Sequence, residues 1–287
     1  MFRSRLAPGV EVFPVPGRGL ALRTDSGEFL SVRTAAADHA ALLSLLSGRT
    51  DTPSDAELDR LLRAFGEAGY LAEHSPEAAS PQWPAARRAV RLLGDAVLTE
   101  PLAACLTGLG AEPRTDPPAA DSAASPAALG DLLHGDPAAV VWCLDGPVPD
   151  GLWDAADLLP EHGVAWFRCH REGRQAYVEP LAAARGDVTS AHVRLRRLAA
   201  TPAHRELAAY WSGPRTSGAT ERLTGPAAGL LAALLADDLV RWATDAPGTT
   251  GLPARRRLRK VDLRTLTVTE HPVLPVPDVA PMPRKDG

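Results

Sequence analysis

Side chains that bind metals or act as nucleophiles are scarce in this sequence. It holds three cysteines among 287 residues, Cys105, Cys143 and Cys169, and no two of them are spaced as CxxC. Because that spacing marks most zinc and redox sites, the cysteines predict free thiols in a reducing compartment, the cytoplasm. The motifs GxSxG, HExxH and Walker A are absent too, which excludes the hydrolase, metalloprotease and phosphate-loop sites that those motifs mark.

An excess of charge and long apolar runs are also lacking. The 31 basic and 35 acidic residues give a net charge of −4, so the sequence predicts no general affinity for nucleic acid. The longest apolar stretch, Gly225 to Ala243, is interrupted by Asp237, Asp238 and Arg241 and predicts a core helix and no membrane span. We expect no secretory signal either, because no apolar segment follows the first arginines.

What is present divides the chain into two modules. Residues 76–84 are rich in proline and small polar side chains and are expected to form a linker. Residues 1–75 carry three short strands and then two helices, the second with a capping box at Ser54, which is typical of a winged-helix-like domain. Residues 85–287 alternate buried strands with helices and predict an α/β domain with a mostly parallel sheet.

Hydrophobic periodicity and turn residues place the elements of the second module. A loose loop is expected between Arg114 and Ala128, and a hairpin around Glu172 and Gly173. The remaining predictions are a strand at Ala89 to Leu93, a helix at Leu98 to Leu109, a buried strand at Ala138 to Gly146, helices at Gly151 to Gly163 and from Pro226, and one last strand from Arg257 to Val273.

The stretch from Arg91 to Gly110 is typical of the opening of a nucleotide-binding βαβ unit. Such a unit has glycine at three places after the strand, where this sequence has Gly94, Ala96 and Thr99. A Cβ at the second place would crowd a pyrophosphate, so we favour a plain strand-to-helix turn. Asp145 stands where a magnesium-binding carboxylate would lie, but its surroundings also suit an ordinary turn.

The first module resembles a RiPP recognition element, the winged-helix domain that binds leader peptides of ribosomally synthesised and post-translationally modified peptides (RiPPs). The resemblance lies in Leu6 to Arg33, in LLSLLSG and in LDRLLRAFGEAGYL. Ala139 to Leu181 and Val261 to Pro277 resemble the E1/ThiF-type (Rossmann-like) domain that accompanies it. The whole is similar to the ocin-ThiF-like partner of a YcaO cyclodehydratase in thiopeptide and linear azole biosynthesis.

This resemblance implies a non-catalytic partner that delivers a precursor peptide to a YcaO-type cyclodehydratase. It implies no cofactor in this chain, because the partner enzyme would use ATP and magnesium. The expected partners are a leader peptide, the YcaO-type subunit and, in a homodimer, a second copy. The family's two CxxC zinc-binding segments are replaced here, which implies no zinc; the residues at these positions are Thr189, Ser190, His192, Val273 and Val276.

The leader peptide is expected to add as a strand along the third strand of the first module, beside its second helix. The residues predicted to bind it are Phe29, Leu30, Ser31, Val32 and Arg33 on the strand, and Leu58, Leu61, Arg63 and Phe65 on the helix.

Two functions of other classes stay open. One is a divergent nucleotide-using adenylating enzyme that employs Asp145. The other is a winged-helix DNA-binding regulator that inserts the helix at Ser54 to Ala68 into DNA. The missing glycines disfavour the enzyme, and the acidic residues of that helix disfavour the regulator. We interpret the basic runs at Arg194 to Arg197 and Arg255 to Lys260 as solvated faces.

Overall fold

The computed structural model describes residues 5–34, 39–48, 56–72, 83–115, 128–213, 216, 222–246 and 251–277. The chain divides into two compact units, Met1–Ser80 and Pro81–Gly287. The predicted cap residue Ser54, most of the predicted linker and most of the predicted loop after Arg114 lie outside the described residues. Within them, no helix is both long enough and apolar enough to cross a lipid bilayer.

The first unit is a three-stranded antiparallel sheet followed by two helices. The sheet order is β1-β2-β3, and the two hairpins turn at the PGRG and DSG segments, as predicted. Its elements are β1 (Glu11–Val15), β2 (Gly19–Arg23), β3 (Phe29–Val32), α1 (His39–Leu46) and α2 (Ala56–Glu67).

Leucines from the sheet and both helices form the core of this unit. Along β2, Leu20 and Leu22 alternate with less buried residues, so one face of the strand is buried. On α2, the side that faces the core is made of Leu58, Leu61 and Phe65. The regular spacing of the leucines in the sequence therefore results from their packing inside the unit.

The second unit is built on a seven-stranded sheet in the order β10-β9-β8-β7-β6-β4-β5. Its strands are β4 (Ala89–Gly94), β5 (Glu112–Thr115), β6 (Ala139–Leu144), β7 (Ala165–Glu172), β8 (Gln175–Val178), β9 (Arg257–Asp262) and β10 (Thr267–Pro272). Its helices are α3 (Ala96–Gly108), α4 (Leu129–Leu133), α5 (Ser190–Ala199), α6 (His204–Ser212) and α7 (Gly225–Ala243).

The sheet is mixed, so the prediction of a mostly parallel sheet was wrong. Strands β5, β4, β6 and β7 pair in parallel, whereas β7, β8, β9 and β10 pair antiparallel. The reason is two hairpins. One lies at Gly173, as predicted, and the other interrupts the stretch that we expected to be a single last strand. There Asp262 accepts hydrogen bonds from the backbone and side chain of Arg264, and the chain reverses into β10.

Two further elements differ from the prediction. The segment after Gly151 forms turns and then a 3₁₀-helix, Ala156–His162, instead of the predicted α-helix. Its Pro160 has no N–H to donate to an α-helical bond. Strand β5 begins within a segment to which we assigned no strand. It contains Pro113 and lies at the edge of the sheet, where proline is tolerated.

Apolar residues cover both faces of the sheet. On one face, α3 and α7 bury leucines such as Leu102, Leu106 and Leu235 against β4, β6 and β7. On the other face, the indole rings of Trp142 and Trp153 make edge contacts with Trp166, with centroids 6.4 and 5.8 Å from it. Burial on both faces explains why β6 is apolar along its whole length.

Gly94 ends β4 in close contact with the backbone of β6. Its φ is +103°, and a Cβ on it would lie 1.9 Å from the carbonyl oxygen of Cys143. The next amide, that of Asp95, donates to the same carbonyl at 2.9 Å. Sheet packing alone therefore requires glycine here.

We predict that Gly94→Ala destabilises the second unit, because the methyl group overlaps the Cys143 carbonyl and the backbone stays in the left-handed region. Strain and overlap together cost about 2 kcal/mol or more. This corresponds to a melting temperature about 4–8 °C lower in a protein of this size. Thermal unfolding followed by circular dichroism measures the shift.

Gly146→Ala is the matched control. A Cβ on Gly146 meets nothing within 4 Å, and its φ lies outside the left-handed region, so its melting temperature should stay close to wild type. Equal melting temperatures for the two variants would show that β4 and β6 are not packed as closely as described.

Candidate functional site

The edges of the two sheets differ in one respect. In the described part of the chain the edge strands are β1 and β3 of the small sheet and β5 and β10 of the large one. Three of them contain a proline, namely Pro14 in β1, Pro113 in β5 and Pro272 in β10. Proline has no N–H and so prevents another strand from pairing there. Strand β3 has no proline.

The prolines stand at positions that face away from the sheets. The amide of Glu112 donates inward to Arg88, so that of the next residue, Pro113, would point outward. Likewise the amide of Val273 donates to Arg256, which places Pro272 on the outer side. Each proline therefore removes an outward N–H group, so a further strand pairs less readily with that edge.

Strand β3 keeps both N–H and C=O groups on the edge that faces away from β2. The amide of Thr24 donates to the carbonyl of Glu28 at 2.9 Å, which makes these two residues a hydrogen-bonded pair. Such pairs alternate along antiparallel strands, so Leu30 and Val32 face β2. The N–H and C=O groups of Phe29 and Ser31 consequently point outward, where a further strand would find them.

Apolar side chains flank this edge on both faces of the sheet. Phe29 is 67 % exposed and makes an edge contact with the ring of Phe13, with centroids 6.1 Å apart. Leu30 is 41 % exposed and lies on the opposite face, since it pairs with the buried Leu22. A free edge with exposed apolar side chains suits strand addition and favours aggregation when it stays open. We call Phe29–Val32 the β3 edge.

The structure separates the predicted peptide-binding residues into two groups. Leu58, Leu61 and Phe65 lie in the core of the first unit. Arg33 and Arg63 are exposed, and the Nε of Arg63 lies 3.4 Å from the carbonyl oxygen of Asp59. Sequence spacing could not separate a core stripe from a groove, because both place leucine and phenylalanine at helical intervals.

The nucleotide-like turn of the second unit is tied together by its own side chains. Asp95 precedes α3, and its carboxylate accepts a hydrogen bond from the amide of Asp145 at 2.6 Å. Ala96 begins the helix, and the hydroxyl of Thr99 lies 3.3 Å from the carbonyl oxygen of Asp95. These contacts join the carboxyl ends of β4 and β6, where a Rossmann-like sheet would bind its ligand.

Asp145 is held by an arginine. The Nε of Arg171 donates to its carboxylate, the Nη2 of Arg171 lies 3.3 Å from its carbonyl oxygen, and the Nη1 donates to the carbonyl of Gly173. The Arg171 side chain is buried, so it neutralises Asp145 in a place of low solvent access. A carboxylate engaged in this way is a poor ligand for magnesium, and the residues of this turn do not fit a magnesium nucleotide.

The two segments that were compared with CxxC zinc-binding segments form a helix cap and part of an apolar cluster in this structure. The Thr189 hydroxyl accepts from the amide of His192, and the Nδ1 of His192 accepts from the amide of Thr189, which together cap α5. The other segment contributes Val273 to a buried cluster. The further members of that cluster are Tyr177, Val188, Val193 and Leu258.

A buried ion-pair network next to this cap was missed by sequence analysis, which took the segment around Arg168 and His170 for a plain hairpin. Arg168 is fully buried and donates to Glu179 at 2.8 Å. His170 lies between two carboxylates, 3.3 Å from Glu172 and 3.6 Å from Glu179. Alternation of charged residues with apolar ones along a strand usually indicates an exposed face, which is why these charges were not expected to be buried.

Glu172 joins α5 and α6 to β7. Arg197 on α5 binds both of its carboxylate oxygens, at 3.0 and 2.6 Å, and the indole N–H of Trp211 on α6 donates to it at 2.8 Å. Burial alone would raise the pKa of Glu172, but hydrogen bonds from His170 and Arg197, together with their charges, hold that pKa well below its usual range. Glu172 is therefore a fixed negative charge.

The comparisons with known proteins are structural. No protein-family model matches the sequence, and no curated protein matches it. The solved structures that it resembles include the heterocyclase TruD, at 17% identity and a TM-score of 0.61, and a heterocyclase in complex with substrate and cofactor, at 16% and 0.56. E. coli MccB with AMPCPP and MccA is similar at 11% identity and a TM-score of 0.59.

Each similarity covers 96% of this chain, but the shares of the other chains differ. The chain spans 42% of TruD and 39% of the other heterocyclase, about two fifths of their length, and 98% of MccB. At these identities the likeness shows the fold. The predicted α/β class is thus confirmed, with a mixed seven-stranded sheet in the second unit, and these structures share the fold.

We predict that Glu172→Gln destabilises the second unit at pH 7, because the variant leaves Arg197 buried without its counter-charge. Removing one partner of a buried ion pair costs about 3 kcal/mol. Because the pKa of Glu172 is lowered by folding, its stabilising effect is complete above the unfolded pKa of about 4.3 and is lost as the pH falls further. The difference from wild type should therefore shrink below about pH 4.

Urea unfolding of both proteins between pH 3 and pH 7 measures this difference. Glu161→Gln is the control, since Glu161 is exposed and should change stability little at any of these pH values. A difference that stays constant down to pH 3 would contradict the assignment of a buried, charged Glu172.

Proposed function

We propose that this chain is a non-catalytic, leader-peptide-binding partner of a YcaO-type cyclodehydratase in thiopeptide-like RiPP biosynthesis. The observation that carries the proposal is the β3 edge, the edge without proline among those described, with Phe29 and Leu30 exposed beside it. The fold that the chain shares with heterocyclase structures supports the same biosynthetic context. Three antiparallel strands followed by two helices suit the winged-helix-like domain that the sequence resembles.

Binding energies agree with strand addition at this edge. The outward groups of Phe29 and Ser31 allow four backbone hydrogen bonds, which contribute about 2–6 kcal/mol in total at about 0.5–1.5 each. Micromolar affinity requires about 8 kcal/mol. The rest has to come from apolar burial, and covering a side chain such as Phe29 or Leu30 contributes about 1.5–3 kcal/mol. The leader segment that binds here should therefore alternate apolar side chains on its two faces.

The carboxyl ends of β4 and β6 support a role without chemistry in this chain. Gly94 is required by the contact with Cys143, and Asp145 is neutralised by Arg171. Both features that suggested a nucleotide site thus have structural explanations. The YcaO-type partner would use ATP and magnesium, while this chain holds the leader and raises the effective concentration of the core peptide near the partner.

The alternative functions have less support from the structure. An adenylating enzyme would need Asp145 to exchange Arg171 for a metal ion. A DNA-binding regulator would need a basic helix, whereas the first turn of α2 carries Glu57 and Asp59, and Arg60 pairs with Glu57 at 2.7 Å. A phosphate backbone would be repelled by that helix end.

We predict that Ser31→Pro weakens leader binding at least tenfold, because proline removes one outward donor and its ring interferes with the neighbouring pairs. The measurement is fluorescence anisotropy with a labelled leader peptide from a precursor encoded beside this chain. Arg256→Ala, in the second unit, should bind the leader as wild type does.

Val12→Pro is the matched control. Val12 lies two residues before Pro14 on β1, so its N–H also points outward, but at the opposite edge of the same sheet. It should retain leader affinity once circular dichroism shows that it is folded. If folded Ser31→Pro protein binds the leader with unchanged affinity, the peptide binds at another site. If neither wild type nor variant binds the leader, leader binding is not a function of this chain.

We also predict that the chain alone does not bind ATP with magnesium, because Arg171 occupies the Asp145 carboxylate and a Cβ stands at Ala96. Isothermal titration calorimetry should give only heats of dilution. A one-to-one isotherm of micromolar affinity would instead favour the adenylating enzyme.

A further inference from the structure

A small cavity in the Pro81–Gly287 unit lies beside the ion-pair network around Glu172. Its volume is about 20 Å³. A buried water molecule needs about 10–15 Å³ of such space. Trp153, His170 and Glu179 are among the residues that line the cavity, and their exposed fractions are 2, 3 and 5%. The cavity, which we call the Trp153 cavity, is therefore bordered by buried polar side chains and has room for one water molecule.

Two buried polar atoms of these side chains have no hydrogen-bond partner in the described part of the chain. They are the indole Nε1 of Trp153 and the Nδ1 of His170. The Oε1 of Glu179 lies 3.6 Å from that Nδ1, which is too far for a direct hydrogen bond. A buried polar group that has lost its hydration without gaining a partner destabilises the fold, so a partner inside the cavity is expected.

Other polar groups of the lining are already engaged and cannot supply this partner. The hydroxyl of Ser190 donates to Asp157 at 2.7 Å. The guanidinium group of Arg197 and the indole N–H of Trp211 both donate to Glu172. The partner of the two unpaired atoms must therefore come from outside the chain.

The chemistry of the cavity selects the kind of ligand. The indole N–H of Trp153 can only donate a hydrogen bond, whereas the carboxylate of Glu179 can only accept one. A metal cation cannot accept a hydrogen bond and a halide ion cannot donate one, but a water molecule does both. Trp153, His170 and Glu179 together would give it three partners, which is typical of buried water. A polar contact longer than 3.5 Å, such as that between His170 and Glu179, also suits a bridging water.

We propose that the Trp153 cavity is a binding site for a single water molecule. The water accepts a hydrogen bond from the indole N–H of Trp153 and bridges the Nδ1 of His170 and the Oε1 of Glu179. It thereby connects the segment before the 3₁₀-helix at Ala156–His162 with β7 and with the residue that follows β8. All three partners belong to the second unit, so the proposal does not depend on leader binding.

A high-resolution crystal structure of the full chain tests the proposal directly. We expect one ordered water within about 3.2 Å of both the Nε1 of Trp153 and the Nδ1 of His170. If both side chains are ordered and no water density lies between them, the proposal is wrong. Density that contacts neither atom overturns it as well.

Nuclear magnetic resonance of isotope-labelled wild-type protein gives the same test in solution. The indole proton of Trp153 should show a nuclear Overhauser effect to bound water. The indole N–H of Trp142 is the internal reference, because it is also buried and without a described partner but does not line the cavity. It should show no such effect. Equal signals from the two indoles, or none from Trp153, would contradict the proposal.

Trp153→Phe removes the indole donor and keeps an aromatic ring, so the water should be lost from the electron density of this variant. Trp142→Phe is the matched control, since both rings contact Trp166 and both carry an unpaired indole N–H. It should keep the water. A water that stays in place in Trp153→Phe, or that disappears equally from both variants, would show that the indole of Trp153 does not hold it and would overturn the proposal.

Discussion

The edge strand of a β-sheet carries backbone groups that have no further strand to pair with. The described part of this chain has two sheets and therefore four such edges. Three of those edges contain a proline, which removes an outward donor. At the fourth, Phe29 and Ser31 keep their donors, and Phe29 and Leu30 keep their apolar surface exposed. Among the described edges, β3 is thus the one that keeps all of its outward hydrogen-bonding groups, and this follows from the chain itself without reference to any relative.

In the second unit, arginine–carboxylate pairs occupy the places where a related fold could bind a ligand. Arg171 engages Asp145 at the end of β6, and Arg197 engages Glu172 next to the cap of α5. Buried pairs of this kind stabilise little relative to apolar packing, yet breaking one leaves a charge without compensation. A substitution that frees Asp145 for metal binding would thus also unsettle the contact between β6 and β7.

Much of the fold could be predicted from the sequence because burial leaves a pattern. The buried strand β6, the long helix α7 and both hairpins of the first unit follow from apolar runs and turn residues. The reversal between β9 and β10 could not be predicted, because it depends on Asp262 binding Arg264 within a segment of strand-like composition. The candidate edge was only partly predictable: the strand could be located, but its outward residues follow from the register between Thr24 and Glu28.

The division of the chain into two units has an optical consequence. All six tryptophans lie at or after position 83, and on one face of the large sheet Trp166 contacts both Trp142 and Trp153. The Met1–Ser80 unit contains none. Intrinsic indole fluorescence therefore reports the state of Pro81–Gly287 alone, and a tryptophan introduced into the first unit would give that unit a signal of its own.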